Sequence, residues 1–331
     1  FMKAILLKKH GGAHGFTIGE VVDPEIKPGH VIVKVSASSV NPLDCKIRQG
    51  LLPIGPKLPG ILHGDIAGTI LEVGSEVDGF KQGDEVYGCV GGILSLPGVL
   101  SEFALADARL LAKKPKNLSM IESAVLPLVG ITAWNALIDR AKVSEGKRVL
   151  VHAATGGVGH VAIQLAKALG AEVHATASNE AKRSTGIKLG ADKVINYKVE
   201  SPVEYIKRET GSIGYDIVFD TVGGSCLDAS FEAAKIYGQV VSIAARSTHD
   251  LTPAHVKSLS LHVVFMLLPM IRNENRESHG LILSQLADFV ELGKVTPLLD
   301  HKVFDFEEVG KAHEFLESGK AIGKVALVST W

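Results

Sequence analysis

The chain has 331 residues, with 35 Lys and Arg against 36 Asp and Glu, a formal net charge of −1. That balance excludes a bulk electrostatic grip on nucleic acid or on an anionic lipid surface. With 46% hydrophobic and 21% charged residues the sequence can build a large core, which excludes disorder, and its length is a prior for two domains.

The first ten residues hold only a four-residue apolar stretch, too short for a signal-peptide core. Cys45, Cys89 and Cys226 lie far apart, without the C-x-x-C clustering of a structural zinc site or a redox pair, so a reducing cytosol fits. Leu259 to Ile271, the most apolar later segment, carries His262 and Pro269 and falls short of the roughly 20 residues that a membrane span needs. A soluble cytoplasmic protein is expected.

From about residue 26 to 112 the pattern is short β-type runs broken by glycine turns, as in Val31 to Val35 and Gly68 to Gly74. Nine glycines between positions 60 and 92 favour a small barrel or sandwich over helices. A different rhythm begins near residue 123. Arg148 to Ala154 reads as a buried strand, Val158 to Leu169 as a helix, and Glu172 to Ala177 as the next strand. Asp192 to Asn196, Tyr215 to Asp220 and Gly238 to Ala244 continue the alternation, which predicts a parallel sheet wound on both faces. The predicted organisation is 1–122, 123–267 and a tail, 268–331, that returns to the first domain with a helix over Gly280 to Leu292 and strands at Val303-Phe304 and Lys324 to Val328.

At the first strand-to-helix junction the sequence runs Val151-His152-Ala153-Ala154-Thr155-Gly156-Gly157-Val158-Gly159-His160. This aligns with the dinucleotide fingerprint, with Ala154 where the first glycine is usual. Val158, Val161, Ala162, Leu165 and Leu169 follow helical spacing, so Thr155, Gly156, Gly157 and Val158 are expected to bring backbone amides and a helix N-terminus against a pyrophosphate. Glycines at such a junction also serve tight packing alone. After the second strand no acid stands at Ala177 or Ser178, and Lys182 and Arg183 follow. A 2′-phosphate would meet a hydroxyl and one or two cations, which favours NADP(H). Against this, Ser178 could merely N-cap the next helix, Lys182 could be a solvated surface residue, and Glu180 could reach a ribose.

With this fingerprint, a barrel-like first half and Phe80 to Val86, the chain resembles the medium-chain dehydrogenase/reductase superfamily. Val40 to Gly50, His63 to Gly68 and Ala153 to Gly159 resemble its zinc-independent quinone oxidoreductase branch, which includes the zeta-crystallins. The resemblance implies an α/β chain, with a GroES-like β-barrel catalytic domain made from both chain ends and a Rossmann doubly wound parallel sheet, usually as a homodimer. Zinc relatives place a ligand Cys where this chain has Asn41, a ligand His where it has Gly64, and a third ligand near Pro127 to Gly130, where no Cys stands. No metal is expected.

The resemblance puts Asn41, Asp44 and Arg48 beside the nicotinamide, with Asn41 near the carbonyl being reduced. Local structure gives another reading of the same three residues: Asn41 as N-cap, Pro42 at N1, and Asp44 with Arg48 on one helix face. Many relatives carry a Tyr where this chain has Leu52, so a phenolic proton donor is missing there. The resemblance further implies that Thr132 lies near the phosphates or carboxamide, Tyr197 at the adenine, and Val222 and Gly223 at the adenosine. It implies Ala244 and Ala245 at the nicotinamide ribose, and Phe265, Met266 and Leu267 at the carboxamide. Loop or core packing would account for each of these alone.

Hydride delivery to a quinone or conjugated enone needs positioning, a hydrogen-bond donor at the developing oxygen anion, and a proton that water can supply. Alcohol oxidation needs a Lewis acid or base, and neither is visible. The expected activity is NADPH-dependent reduction of a quinone or α,β-unsaturated carbonyl. The alternatives are an enoyl-thioester reductase and a non-catalytic, crystallin-like NADPH-binding protein.

Overall fold

The computed structural model describes all 331 residues. Two compact units are present: Phe1–Leu128 with Leu267–Gly293 and Pro297–Trp331, and Val129–Met266 with Lys294–Thr296.

The first unit is built on the strand His30–Val40, whose Val31, Val33, Val35 and Ala37 are buried. It pairs antiparallel with Asp65–Val73, Phe103–Asp107 and Lys324–Val328, so the chain's last strand closes on its first half, Val325 opposite Val40. Leu299–Asp305, Glu85–Cys89 and Leu111–Lys113 complete the seven-stranded sheet, and Phe103–Asp107 branches from His30–Val40. The glycine density has a steric cause here: a Cβ at Gly68 would lie 2.2 Å from the Lys34 carbonyl oxygen on the neighbouring strand. Residues 123–128, expected with the second domain, lie in the first unit. The short helix Met120–Ala124 packs on His30–Val40 and Asp65–Val73, and the Leu128 N–H donates to Asp65, which ties the segment to that sheet.

The second unit is a six-stranded sheet in the order Lys193–Asn196, Glu172–Ala177, Arg148–Val151, Tyr215–Asp220, Ala234–Ser242, Ser260–Val263, with all neighbours parallel. This is the doubly wound order, with helices such as Gly157–Ala168 and Ser225–Ala233 as crossovers. Leu150, Val218 and Val240 on its strands pack with Tyr205 and Phe231 from its helices. The last predicted strand of that series runs Ala234–Ser242 rather than Gly238 to Ala244. The apolar segment at 259–271 supplies the edge strand Ser260–Val263 and the short helix Leu268–Arg272. No helix is long and apolar enough to cross a membrane.

Candidate functional site

In the second unit the strand Arg148–Val151 leads through a tight turn into the helix Gly157–Ala168. Gly156 is the N-cap and, lacking a side chain, leaves the first-turn N–H groups without a side-chain cap. A Cβ at Gly159 would lie 2.0 Å from the Ala153 carbonyl oxygen, so only glycine lets the turn fold under the helix. A partly exposed helix N-terminus beside backbone this close is a fitting cradle for a pyrophosphate. The strained position is Ala153, with φ 58, whereas Ala154 is fully buried, its methyl facing Gly186. Counted back from Gly156 and Gly159, the first-glycine position of the fingerprint stays at Ala154, one residue beyond the left-handed Ala153.

The expected 2′-phosphate residues separate in the structure. Asn179, not Ser178, is the N-cap of the helix Glu180–Lys188, its Oδ1 accepting the Lys182 N–H at 2.9 Å. Ser178 is thereby freed from the capping role. Arg183 is committed, Nε donating to the Val194 carbonyl and Nη1 to Glu180, so of the two cations Lys182 is the one with no such bond. That same ion pair occupies Glu180, the residue that favoured NADH. Tyr197 is half exposed beside the strand end, its N–H donating to the Ala177 carbonyl. Asp220 accepts the N–H groups of Val222 and Gly223 and the Ser242 hydroxyl, which shapes the turn after its strand. A Cβ at Gly223, where φ is 82, would lie 2.4 Å from the Ala244 carbonyl oxygen, so Gly223 and Ala244 are held in contact. Thr132, Thr155 and Met266 are buried, Ala245 is half-buried and Phe265 is half exposed. Leu267 is buried in the first unit.

The first unit holds a buried polar cluster. Asn41 caps the helix Pro42–Gln49 in extended conformation, and its N–H donates to Asp44 at 2.7 Å. Its side chain does not cap. Nδ2 donates to Asp65 Oδ2 at 2.8 Å, and Oδ1 accepts from Lys324 Nζ, which also donates to the Val40 carbonyl and stands 3.6 Å from Asp65. Lys324 can only donate and ionised Asp65 can only accept, so the orientation of the Asn41 amide is fixed. One Nδ2 hydrogen remains for another acceptor. Asp65 also accepts from the Ser39 hydroxyl at 2.7 Å and the Leu128 N–H at 2.8 Å. Burial pushes the Lys324 ammonium below its ordinary pKa, against the pull of Asp65 and Asp44. It raises Asp44, against the pull of His63.

Arg48 does not pair with Asp44 as its spacing suggested. Its Nη2 bridges both oxygens of Glu317 at 2.6 and 2.8 Å, and Nη1 reaches the Gly11 carbonyl. His63 donates from Nδ1 to the Ser39 carbonyl and meets His313 Nε2 at 2.8 Å. A Cβ at Gly64 would lie 2.6 Å from the Gly91 carbonyl oxygen, so no ligand side chain fits there, and no group of three or more His, Cys, Asp or Glu could hold a metal ion. Burial pushes the Cys45 thiol up to about 12, which leaves it no nucleophile. A cavity of about 260 Å³ in this unit is lined in part by Ile93, Leu94, Leu96 and Met270.

Lys324, Glu317 and His313 are the residues that sequence reasoning missed. Lys324 carried a readable signal, a lone charge at the head of the apolar run Val325-Ala326-Leu327. The others became neighbours only through folding.

Two family models match this chain: an alcohol dehydrogenase GroES-like domain over residues 27–116 and a zinc-binding dehydrogenase over 189–327. The chain is 36% identical over 335 residues to the NADPH-dependent alkenal/one oxidoreductase, chloroplastic, of Arabidopsis thaliana, covering 98% of this chain and 79% of that one. An alcohol dehydrogenase superfamily protein from Novosphingobium aromaticivorans superposes with a TM-score of 0.95 at 41% identity, over 99% of both chains. The Escherichia coli quinone oxidoreductase complexed with NADPH gives 0.86 at 28%, over 98% of this chain and 99% of that one. With the strand order, the glycine turn and these likenesses together, the chain belongs to the medium-chain dehydrogenase/reductase superfamily, in its quinone oxidoreductase branch.

Proposed function

We propose that this protein is an NADPH-dependent oxidoreductase that reduces a quinone or an α,β-unsaturated carbonyl without a metal. The observation that carries the reading is the Asn41 cluster: where zinc relatives place a ligand, this chain holds a buried, oriented amide whose Nδ2 makes one hydrogen bond, to Asp65, backed by an internal ammonium. Such a group stabilises a developing oxygen anion by hydrogen bonding and needs no Lewis acid. Bound NADPH would supply the hydride. Thr155, Gly156, Gly157 and Val158 hold its pyrophosphate, Ser178 and Lys182 its 2′-phosphate, and Tyr197 its adenine. Val222 and Gly223 hold the adenosine side, Ala244 and Ala245 the nicotinamide ribose, and Phe265, Met266 and Leu267, with Thr132, the carboxamide. Asn41 donates to the substrate oxygen. Asp44 and Arg48 hold the helix that carries it, and water returns the proton, since Leu52 offers none.

The substrate is a small molecule, and neither nucleic acid nor membrane is a partner. A cytoplasmic homodimer completes the reading. The edge strand Ser260–Val263, with Leu261 and Val263 partly exposed, supports a partner there.

The test follows loss of reduced nicotinamide with an ortho-quinone and with an alkenal, in the presence of a strong chelator. Turnover with NADPH, little with NADH and no effect of the chelator are expected. Asn41→Ala is expected to lower kcat by about 10²-fold with NADPH binding retained. NADPH binding without turnover across both acceptor classes overturns the reading in favour of a non-catalytic role.

A further inference from the structure

The second unit carries a hydrogen-bonded aspartate, histidine and serine that the proposed reduction does not use. Asp228 stands in the first turn of the helix Ser225–Ala233, and Ser247 and His249 in the loop after the strand Ala234–Ser242. His249 Nδ1 lies 2.7 Å from Asp228 Oδ1, and its Nε2 lies 2.5 Å from Ser247 Oγ. An ionised carboxylate only accepts, so Nδ1 holds the ring proton and donates it to Asp228. In the neutral ring Nε2 is then bare and accepts from the Ser247 hydroxyl. That hydroxyl proton is already directed at a base whose tautomer a third group fixes, the arrangement that activates a serine for attack.

The packing keeps the ring in place. The His249 side chain is 8% exposed and stands edge-on to Phe231, with ring centroids 6.4 Å apart and planes at 87°. Asp228 and Phe231 are three residues apart on one helix, so a single element sets both the carboxylate and the wall behind the imidazole. Ser247 is exposed, so a reagent reaches its Oγ without any opening of the fold. Asp220 and Ser242 are register partners at the carboxyl ends of adjacent parallel strands, and both segments of the cluster leave the sheet there. That end is where open α/β sheets bind ligands.

We propose that Ser247 is a nucleophilic serine, with His249 as its base and Asp228 as the residue that positions the ring, and that it takes the acyl group of small activated esters. Ser247 Oγ attacks the ester carbonyl carbon and its proton passes to His249 Nε2. The C–O bond to the alkoxy group breaks, and the alcohol leaves with that proton. Water then attacks the acyl-serine, giving its proton to His249 and through it to Ser247 Oγ, and the carboxylic acid departs. The net reaction is ester plus water to acid plus alcohol, independent of any cofactor. An exposed hydroxyl suits small, unhindered acyl groups.

The experiment treats the full chain with p-nitrophenyl acetate, following p-nitrophenolate release and locating the acetyl group by mass spectrometry. A burst and one acetyl on the tryptic peptide Ser247–Lys257 are expected. Ser247→Ala abolishes both and keeps the melting temperature, since the residue lies in an exposed loop. His249→Gln slows acylation by about 10²- to 10⁴-fold. Asp228→Asn slows it as well, and Asp228→Glu restores part of the rate, which a merely structural role would not do. Acetyl groups on lysines alone, acetylation of that peptide in Ser247→Ala, or an undiminished rate in His249→Gln overturns the proposal. Because the assay uses no nicotinamide, its outcome is separate from that of the reductase reading.

Discussion

At Lys324 a single side chain decides what the neighbouring carboxylate and amide can do. Its ammonium is the one cation within reach of Asp65 and donates to the Asn41 amide oxygen. Lys324→Met keeps much of the volume but leaves a fully buried Asp65 without its positive partner and Asn41 Oδ1 without a donor. A loss of about 3 kcal/mol in unfolding free energy is expected, measured by urea denaturation. Lys324→Arg, with a bulkier fork in the same pocket, is expected to recover only part of it. Ala153 offers the opposite case. Its φ of 58 puts a Cβ-bearing residue in the left-handed region, a cost of roughly 1–2 kcal/mol that glycine would avoid at an entropic cost of about 0.5–1. Ala153→Gly is therefore expected to raise stability slightly, whereas Gly159→Ala, with its methyl driven against the Ala153 carbonyl, is expected to abolish NADPH binding. Calorimetry on the two variants checks both signs. Features set by the local backbone, such as the helix start at the glycine turn, were legible in the sequence. Residues whose role depends on a distant partner were not: Asn41 read as a cap because nothing nearby announces Lys324, 283 positions away.

The helix Pro42–Gln49 shows how an element is held by contacts its own sequence does not name. Locally everything agrees: an extended Asn41 cap, Pro42 at N1, Asp44 accepting the cap N–H, and Gly50 at φ 80 to end it. Eight residues are nonetheless too few to be stable alone, so tertiary contacts must fix it. The Arg48–Glu317 pair does this, joining it to the helix Val309–Glu317. The Arg48 side chain is 3% exposed and Glu317 is 31% exposed, so Glu317→Gln leaves a buried guanidinium short of its counter-charge. A loss of about 2 kcal/mol is expected, with faster amide exchange in Pro42–Gln49 and a lower kcat than wild type. Unchanged exchange in that helix would show that the pair does not hold it. The βα series was legible because each strand and helix carries its own period. The closure of the first sheet by Lys324–Val328 could be expected only as a returning tail, since its pairing with Ala37 to Val40 is set by topology.

Across the whole molecule, buried neutral histidines set the response to acid. His63 and His313 in the first unit and His152 and His174 in the second all have pKa values lowered chiefly by burial, His152 to about 4. The His63–His313 bond requires neutrality. His63 Nδ1 donates to the Ser39 carbonyl, so its Nε2 must accept from His313, and a further proton on that atom breaks the contact. A lowered pKa means that the folded state binds fewer protons than the unfolded chain between the folded value and about 6.5, so stability falls as pH drops through that window. For His152 alone the difference of 6.5 − 4 = 2.5 units corresponds to about 3 kcal/mol by pH 4. Asp44, raised by burial, acts in the opposite sense, since the folded state takes up its proton first. Carboxylates held low, such as Asp107 and Asp216, lose their contribution only below their unfolded value of 3.8. The melting temperature is therefore expected to begin falling near pH 6.5, well before the carboxylates titrate. His152→Asn, which keeps a polar atom facing the Thr176 hydroxyl, is expected to flatten that decline, and a profile level down to pH 4.5 in the wild-type chain would refute histidine control of acid stability.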